Sequence, residues 1–155
     1  MRKLNGLKAM MLVCGFAAAA LAADAPAPGY DAQLATRLGA DDHGMRQYVM
    51  VILKTGPAPK PKGPERDAMF KGHFANIQRL ADAGKLALAG PFDGVDGWRG
   101  MFIFAVKDID EAKQLTATDP VIASGEMIAE YHQYYGSAAL MQVSETHKRI
   151  TKPGS

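Results

Sequence analysis

Cysteine is almost absent from this sequence: only Cys14 occurs among 155 residues, within an apolar stretch near the start. A disulfide needs two cysteines and a cysteine-based zinc site needs several, so both are excluded. Cys14 is also poorly placed for lipid attachment, because Val13 precedes it where a small residue is needed. After removal of the leading segment the chain has no thiol nucleophile, and the core alone must hold the fold.

Several common site motifs are also absent. The sequence contains no Gly-rich phosphate loop, no G-x-S-x-G nucleophile motif and no paired metal-ligand spacing. Asp41-Asp42-His43 has residue types that bind metals, but no second group of ligands lies nearby, and we interpret it as a solvated turn. We therefore expect no metal and no cofactor.

The first 22 residues have the composition of a secretory signal peptide. Three basic residues precede an uncharged, mostly apolar run over residues 9–20, and Ala20-Leu21-Ala22 provides small residues for cleavage. The alternative is an uncleaved membrane anchor, for which the run is short and rich in alanine. We expect a periplasmic or secreted protein without membrane attachment after cleavage, in which residues 23–45 form a linker.

Removal of the signal peptide also changes the charge. The whole chain has 18 basic and 16 acidic residues, a formal net charge of +2. Three basic residues and no acidic ones lie within residues 1–22, which leaves fifteen basic against sixteen acidic, or about −1. The mature chain therefore lacks the basic excess of a nucleic-acid-binding surface, and we expect no nucleic-acid partner.

The remaining chain alternates strand and helix patterns. Apolar or alternating runs predict strands at residues 46–54, 86–89, 101–106 and 126–135. Helices are predicted to begin at Pro64, a favourable first helical position, and after an Asp108 N-cap. The order β-α-β-β-α-β is typical of an α+β, ferredoxin-like fold with a four-stranded antiparallel sheet. We assign it to a domain at residues 46–136, followed by a C-terminal extension at residues 137–155, with a helix over residues 137–150.

The predicted sheet is apolar on both faces, but its two helices cover only one of them. An uncovered apolar face of this size needs a partner. We expect a homodimer that packs sheet against sheet. Coverage of this face by the chain's own tail is the alternative.

The first predicted helix carries apolar side chains at helical spacing and ends at Gly84. His73 lies beside this apolar stripe. We predict that the stripe is buried and consists of Phe70, Phe74, Ile77, Leu80 and Ala81.

An ordered set of segments over about residues 46–135 resembles the YCII-related family. The segments are Tyr48-Val49-Met50-Val51, the helical His73, Leu80-Ala81-Asp82-Ala83-Gly84-Lys85-Leu86, Ala89-Gly90-Pro91 and Asp119-Pro120. The resemblance implies a dimeric α+β barrel similar to muconolactone isomerase, with an active site at a His–Asp pair that corresponds to His73 and Asp119. One relative is a dehydrochlorinase of a chlorinated hydroquinone, which implies that such a pocket supports proton transfer. The secretion signal, the Pro-rich loop before the helix and the terminal extensions depart from the family pattern.

Each candidate site residue also has a structural interpretation. His73 is either a general acid or base, or a helix histidine hydrogen-bonded at the edge of the core. Asp119 before Pro120 is a standard helix N-cap, and a carboxylate held there can also orient His73. Gly90, Pro91 and Trp98 are predicted to contact a substrate, with turn formation and core-edge packing as alternatives.

Two hypotheses for function follow. The first is a lyase or isomerase in which His73 moves a proton on a small organic molecule while Asp119 orients it. The second is a non-catalytic domain that binds a small molecule or has a structural role. His132 and Glu130, on one face of the last strand, form a second candidate pair.

Overall fold

The computed structural model describes residues 29–153. The predicted signal peptide and the first part of the predicted linker lie outside this range. No helix within the described range is long and apolar enough to cross a membrane.

The described chain forms one four-stranded antiparallel sheet with helices packed on it, which confirms the predicted α+β, ferredoxin-like fold. The strand order is β2-β3-β1-β4. In chain order the elements are α1 (Ala32–Leu38), β1 (Met45–Thr55), α2 (Pro64–Asp82), β2 (Leu86–Pro91), β3 (Trp98–Phe104), α3 (Ile109–Thr116), α4 (Pro120–Ala123), β4 (Met127–Ser137) and α5 (Val143–Ile150).

Local sequence accounts for the helix ends. Pro64 is the first residue of α2, where its missing N–H is not needed. Asp108 caps α3 by accepting from the Glu111 N–H at 2.9 Å. After α2, Gly84 turns the chain with a φ of 66°, a left-handed conformation that favours glycine.

One face of the sheet packs against the helices and forms the main core. Along β1, alternate residues Val49, Val51 and Leu53 point to this face, as the two-residue period of a strand requires. Other buried members of this core include Leu80, Leu86, Phe102, Phe104, Ala112, Val121 and Met127.

The predicted buried stripe on α2 is confirmed at Leu80 and wrong at Phe74. The buried positions of α2 are Met69, His73, Asn76 and Leu80, whereas Phe74 is 63% exposed. The periodicity located the apolar residues correctly, but a buried carboxylate opposite the helix turns two polar residues inward. Phe70, Ile77 and Ala81 pack at the edge of the core and are partly buried.

The chain covers part of the second sheet face itself. Beyond β4, the predicted C-terminal helix is a short 3₁₀ turn (Ala138–Gln142) followed by α5. Leu140 and Met141 of this segment pack on a cluster that includes Tyr48 and Ile103. The rest of this face exposes large apolar side chains at Trp98, Ile128 and Tyr134.

Candidate active site

His73 lies on the core side of α2, where its side chain meets α4. The preceding residue, Gly72, makes this approach possible: a Cβ there would lie 3.0 Å from Pro120 Cγ. The two helices can therefore come close enough for the start of α4 to reach the imidazole. His73 itself is only 6% exposed.

Asp119 is the N-cap of α4 and is fully buried. Its carboxylate accepts from the Val121 N–H at 3.1 Å, as an N-cap does. Both carboxylate oxygens also lie close to His73 Nδ1, at 2.9 and 2.8 Å. The cap and the histidine partner, which the sequence presented as two interpretations of Asp119, are therefore combined in one side chain.

Asn76 completes the surroundings of this carboxylate. Its Nδ2 donates to Asp119 at 3.4 Å, one helical turn along from His73. Its Oδ1 accepts from Arg79 Nη2 at 2.6 Å and from the Thr118 hydroxyl at 3.1 Å. Because Arg79 can only donate, it fixes the orientation of the amide, so that the amide N–H groups point towards Asp119.

A cavity of about 450 Å³ lies in front of the imidazole. This volume is within the range of sites that bind small organic molecules. Gly90 and Pro91, two of the predicted substrate contacts, line it together with His73. The other lining residues are Leu53, Phe70, Phe74, Ile77, Ala89, Phe92, Arg99, Gly100, Phe102 and Met127.

The two nitrogens of the imidazole have different surroundings. Because Nδ1 faces a carboxylate, it must carry the proton and donate it, which leaves the lone pair of a neutral ring on Nε2. Nε2 has no hydrogen-bond partner among the described residues. No buried side-chain nitrogen or oxygen of the described chain lacks a partner, so Nε2 must be accessible. Since His73 lines the cavity, we infer that Nε2 opens there.

Trp98, the third predicted substrate contact, lies outside the cavity lining. It is 41% exposed and has Lys54 Nζ 6.0 Å from its ring centroid. Its ring packs against that of the lining residue Phe92, with centroids 5.5 Å apart, but Trp98 does not line the cavity together with His73, Gly90 and Pro91. The second candidate pair, His132 and Glu130, is joined by a 2.8 Å hydrogen bond on the exposed part of the second sheet face, also outside the cavity.

Sequence analysis missed a cluster of charges beside the cavity. Glu126, 1% exposed, accepts from Arg66 Nη2 at 3.0 Å and from the backbone N–H of Lys60 at 2.6 Å. Arg99, which lines the cavity, places Nη1 3.7 Å from the same carboxylate. Burial raises the pKa of Glu126, but the Lys60 N–H and the two guanidinium groups outweigh it and hold the pKa below its ordinary value.

One signal for this cluster was present in the sequence. Glu126 directly precedes the buried Met127 at the start of a strand, and a carboxylate in such a position requires a cationic partner. The sequence could not say which arginine supplies it. Among the described residues, no three His, Cys, Asp or Glu side chains are grouped so as to hold a metal ion.

Comparison with known proteins agrees with this architecture. No curated protein matches the chain. The model of the YCII-related domain family matches residues 47–133, which is more than half of the chain and includes His73, Asp119, Gly90 and Pro91. The protein therefore belongs to the YCII-related family.

Proposed function

We propose that this protein is a lyase- or isomerase-type enzyme that transfers a proton on a small organic molecule. One observation carries the proposal: the Asp119 carboxylate holds His73 Nδ1, while Nε2 opens into a largely apolar cavity. A base that is oriented on one side and accessible on the other is the arrangement that proton abstraction requires.

In the proposed reaction, neutral His73 takes a proton from a C–H group of the substrate through Nε2. The ring then carries a positive charge, which the adjacent Asp119 carboxylate stabilises in a site with little water. In an isomerisation the imidazolium returns the proton to another carbon. In an elimination the electrons of the C–H bond form the new double bond, the leaving group departs with its bonding electrons, and the imidazolium releases its proton to solvent. Gly90 and Pro91 form a wall of the cavity and restrict the orientation of the substrate.

Exchange of substrate protons with solvent tests this role of His73 without knowledge of the full reaction. We would screen small cyclic ketones, unsaturated lactones and halogenated phenols in D₂O, and follow the loss of C–H signals by ¹H NMR. For any compound that exchanges, His73→Gln should slow exchange by about 100-fold or more. Lys113→Gln changes an exposed side chain of α3, is the control and should have no effect. Exchange that persists in His73→Gln would exclude the proposed base.

A non-catalytic small-molecule-binding domain is the second candidate. The predominance of apolar residues in the cavity lining favours it, because such a surface binds ligands without further chemistry. In that case a compound would bind in the cavity, shift the NMR signals of its lining residues and undergo no exchange in the wild-type protein.

We also propose that the protein is a homodimer. The support is the uncovered part of the second sheet face, where Trp98 on β3 and Ile128 and Tyr134 on β4 are exposed. Light scattering should give the mass of two chains, and Ile128→Lys should shift the protein towards monomer. Phe74→Lys changes an exposed residue on the helix side and is the control. A wild-type monomer at micromolar concentration would refute this proposal.

Export is the last part of the proposal. It rests on the charge and apolar pattern of residues 1–22, followed by small residues at the expected cleavage position. Protein recovered from the periplasm or medium should begin just after Ala22 or Ala23 on N-terminal sequencing. Recovery of intact chains from the cytoplasm alone would contradict it.

A further inference from the structure

The charge cluster beside the cavity contains two cationic side chains and one carboxylate. Two guanidinium groups, those of Arg66 and Arg99, lie within 4 Å of a single buried carboxylate, Glu126. The cluster therefore carries a net charge of about +1 against a largely apolar wall.

Arg66 is fully engaged within this cluster. It donates to Glu126 through both Nη2 and Nε, at 3.0 and 3.3 Å. Its Cζ lies over the Phe70 ring, 4.4 Å from the ring centre. Arg66 thus neutralises Glu126 by itself, and the surplus charge belongs to Arg99.

Arg99 differs in that its donors have no acceptor. Its approach to Glu126, 3.7 Å, is longer than a hydrogen bond, and its side chain makes no hydrogen bond within the described part of the chain. No buried donor there is unsatisfied, so its N–H groups must reach open space. The side chain is only 24% exposed and lines the cavity. Up to five N–H donors in a planar fork are therefore available to a ligand.

We propose that the ligand of this cavity is a small carboxylic acid with a planar apolar body. A carboxylate matches the guanidinium fork and would satisfy its donors and its charge together. The planar body suits the aromatic side chains that line the same space, namely Phe70, Phe74, Phe92 and Phe102. The inference rests on the proposed function in that the same bound molecule presents its C–H group to His73.

Two matched probes test the carboxylate requirement. 2-Naphthoate and 2-naphthamide have nearly the same shape and differ in charge, and their binding to the purified protein can be measured by calorimetry. We expect naphthoate to bind about 10- to 100-fold more tightly than naphthamide, the range of one charge-assisted hydrogen-bonding group. Equal affinities, or no binding of naphthoate at millimolar concentration, would overturn the proposal.

Substitution of Arg99 assigns the preference to this residue. Arg99→Met should weaken naphthoate binding by about 10- to 100-fold and change naphthamide binding by less than about twofold. Arg99→Lys keeps the charge and loses the fork, and should retain part of the preference. Lys113→Met removes the same charge from an exposed site outside the cavity and should bind both probes as the wild type does. A naphthoate affinity within twofold of wild type in Arg99→Met would refute the assignment.

The variant His73→Gln separates this inference from the proposed reaction. It should slow solvent exchange by about 100-fold or more, yet still bind naphthoate more tightly than naphthamide, because Arg99 is intact. Carboxylate-selective binding with no compound undergoing exchange would remove the enzyme proposal and support the ligand class. Exchange that depends on His73, combined with equal binding of the two probes, would support the enzyme and remove the ligand class.

Discussion

The structure gives the buried Asp119 side chain two roles, and Asp119→Ala removes both. Comparison with an N-cap that has only one of these roles separates their contributions to stability. The substitution removes the acceptor for the Val121 N–H at the start of α4. It also removes both oxygens that face His73 Nδ1. Asp108 provides a control for the cap alone: it is likewise an N-cap, accepts from the Glu111 N–H at 2.9 Å and has no histidine partner, although its side chain is 47% exposed.

The expected loss of stability can be worked out from these contacts. An N-cap contributes about 1 kcal/mol, so Asp108→Ala should lower the free energy of unfolding by that amount. In Asp119→Ala the buried donors of His73 and Asn76 also lose this acceptor, which costs about 1–3 kcal/mol more. We therefore expect Asp119→Ala to cost about 2–4 kcal/mol, clearly more than the control. Asp119→Asn keeps an acceptor oxygen and should fall between Asp119→Ala and wild type.

Urea denaturation followed by circular dichroism gives the free energies of unfolding, provided that the dependence on urea is the same for all variants. ¹⁵N NMR of the histidine rings adds a direct check, since the structure requires the proton of neutral His73 to reside on Nδ1. Equal losses in Asp119→Ala and Asp108→Ala would show that the contact with His73 adds nothing. A wild-type ring protonated on Nε2 would contradict the assigned geometry.

Three further predictions concern packing and acid stability. Phe104 is fully buried, so Phe104→Ala should lower the free energy of unfolding by about 3–5 kcal/mol in urea. A Cβ at Gly56 would lie 2.2 Å from the Gly125 carbonyl oxygen, so Gly56→Ala should move the loop and cost about 2 kcal/mol or more; a loss below about 0.5 kcal/mol would refute the close approach. The folded state holds the pKa of Glu126 below its ordinary value of 4.5, so its stabilisation is complete above about pH 4.5 and is lost as the pH falls. The unfolding temperature should therefore depend less on pH in Glu126→Gln than in wild type between about pH 3 and 6, the range in which carboxylates titrate. An equal slope of unfolding temperature against pH in the two proteins would contradict this.

Local sequence signals were sufficient to predict the positions of the strands and the ends of the helices. Unbroken apolar runs located β1 and β3 to within a few residues, and Asp119-Pro120 marked the start of α4. These features depend on neighbours in sequence, as hydrophobic alternation and capping do.

The burial of polar residues on α2 and the formation of the charge cluster depend on contacts between residues far apart in sequence. An amphipathic pattern places apolar side chains inward, but Asn76 and His73 are buried because a carboxylate more than forty positions later meets them. Arg66 and Glu126 are 60 positions apart, and nothing in either segment identifies the other as its partner. Family resemblance supplied His73 and Asp119 as a pair, and only the fold showed what surrounds them.

Because His73 and Asp119 are both buried, we expect substitutions at these two positions to be linked among relatives. Removal of one partner leaves a buried polar group alone, whereas replacement of both by apolar residues of similar volume is often neutral or stabilising. A lineage that no longer needs the chemistry would thus gain stability by losing His73 and Asp119 together, with α4 capped by another residue. Paired loss at these two positions would identify descendants that kept the scaffold and abandoned the site, and retention of one without the other should be rare.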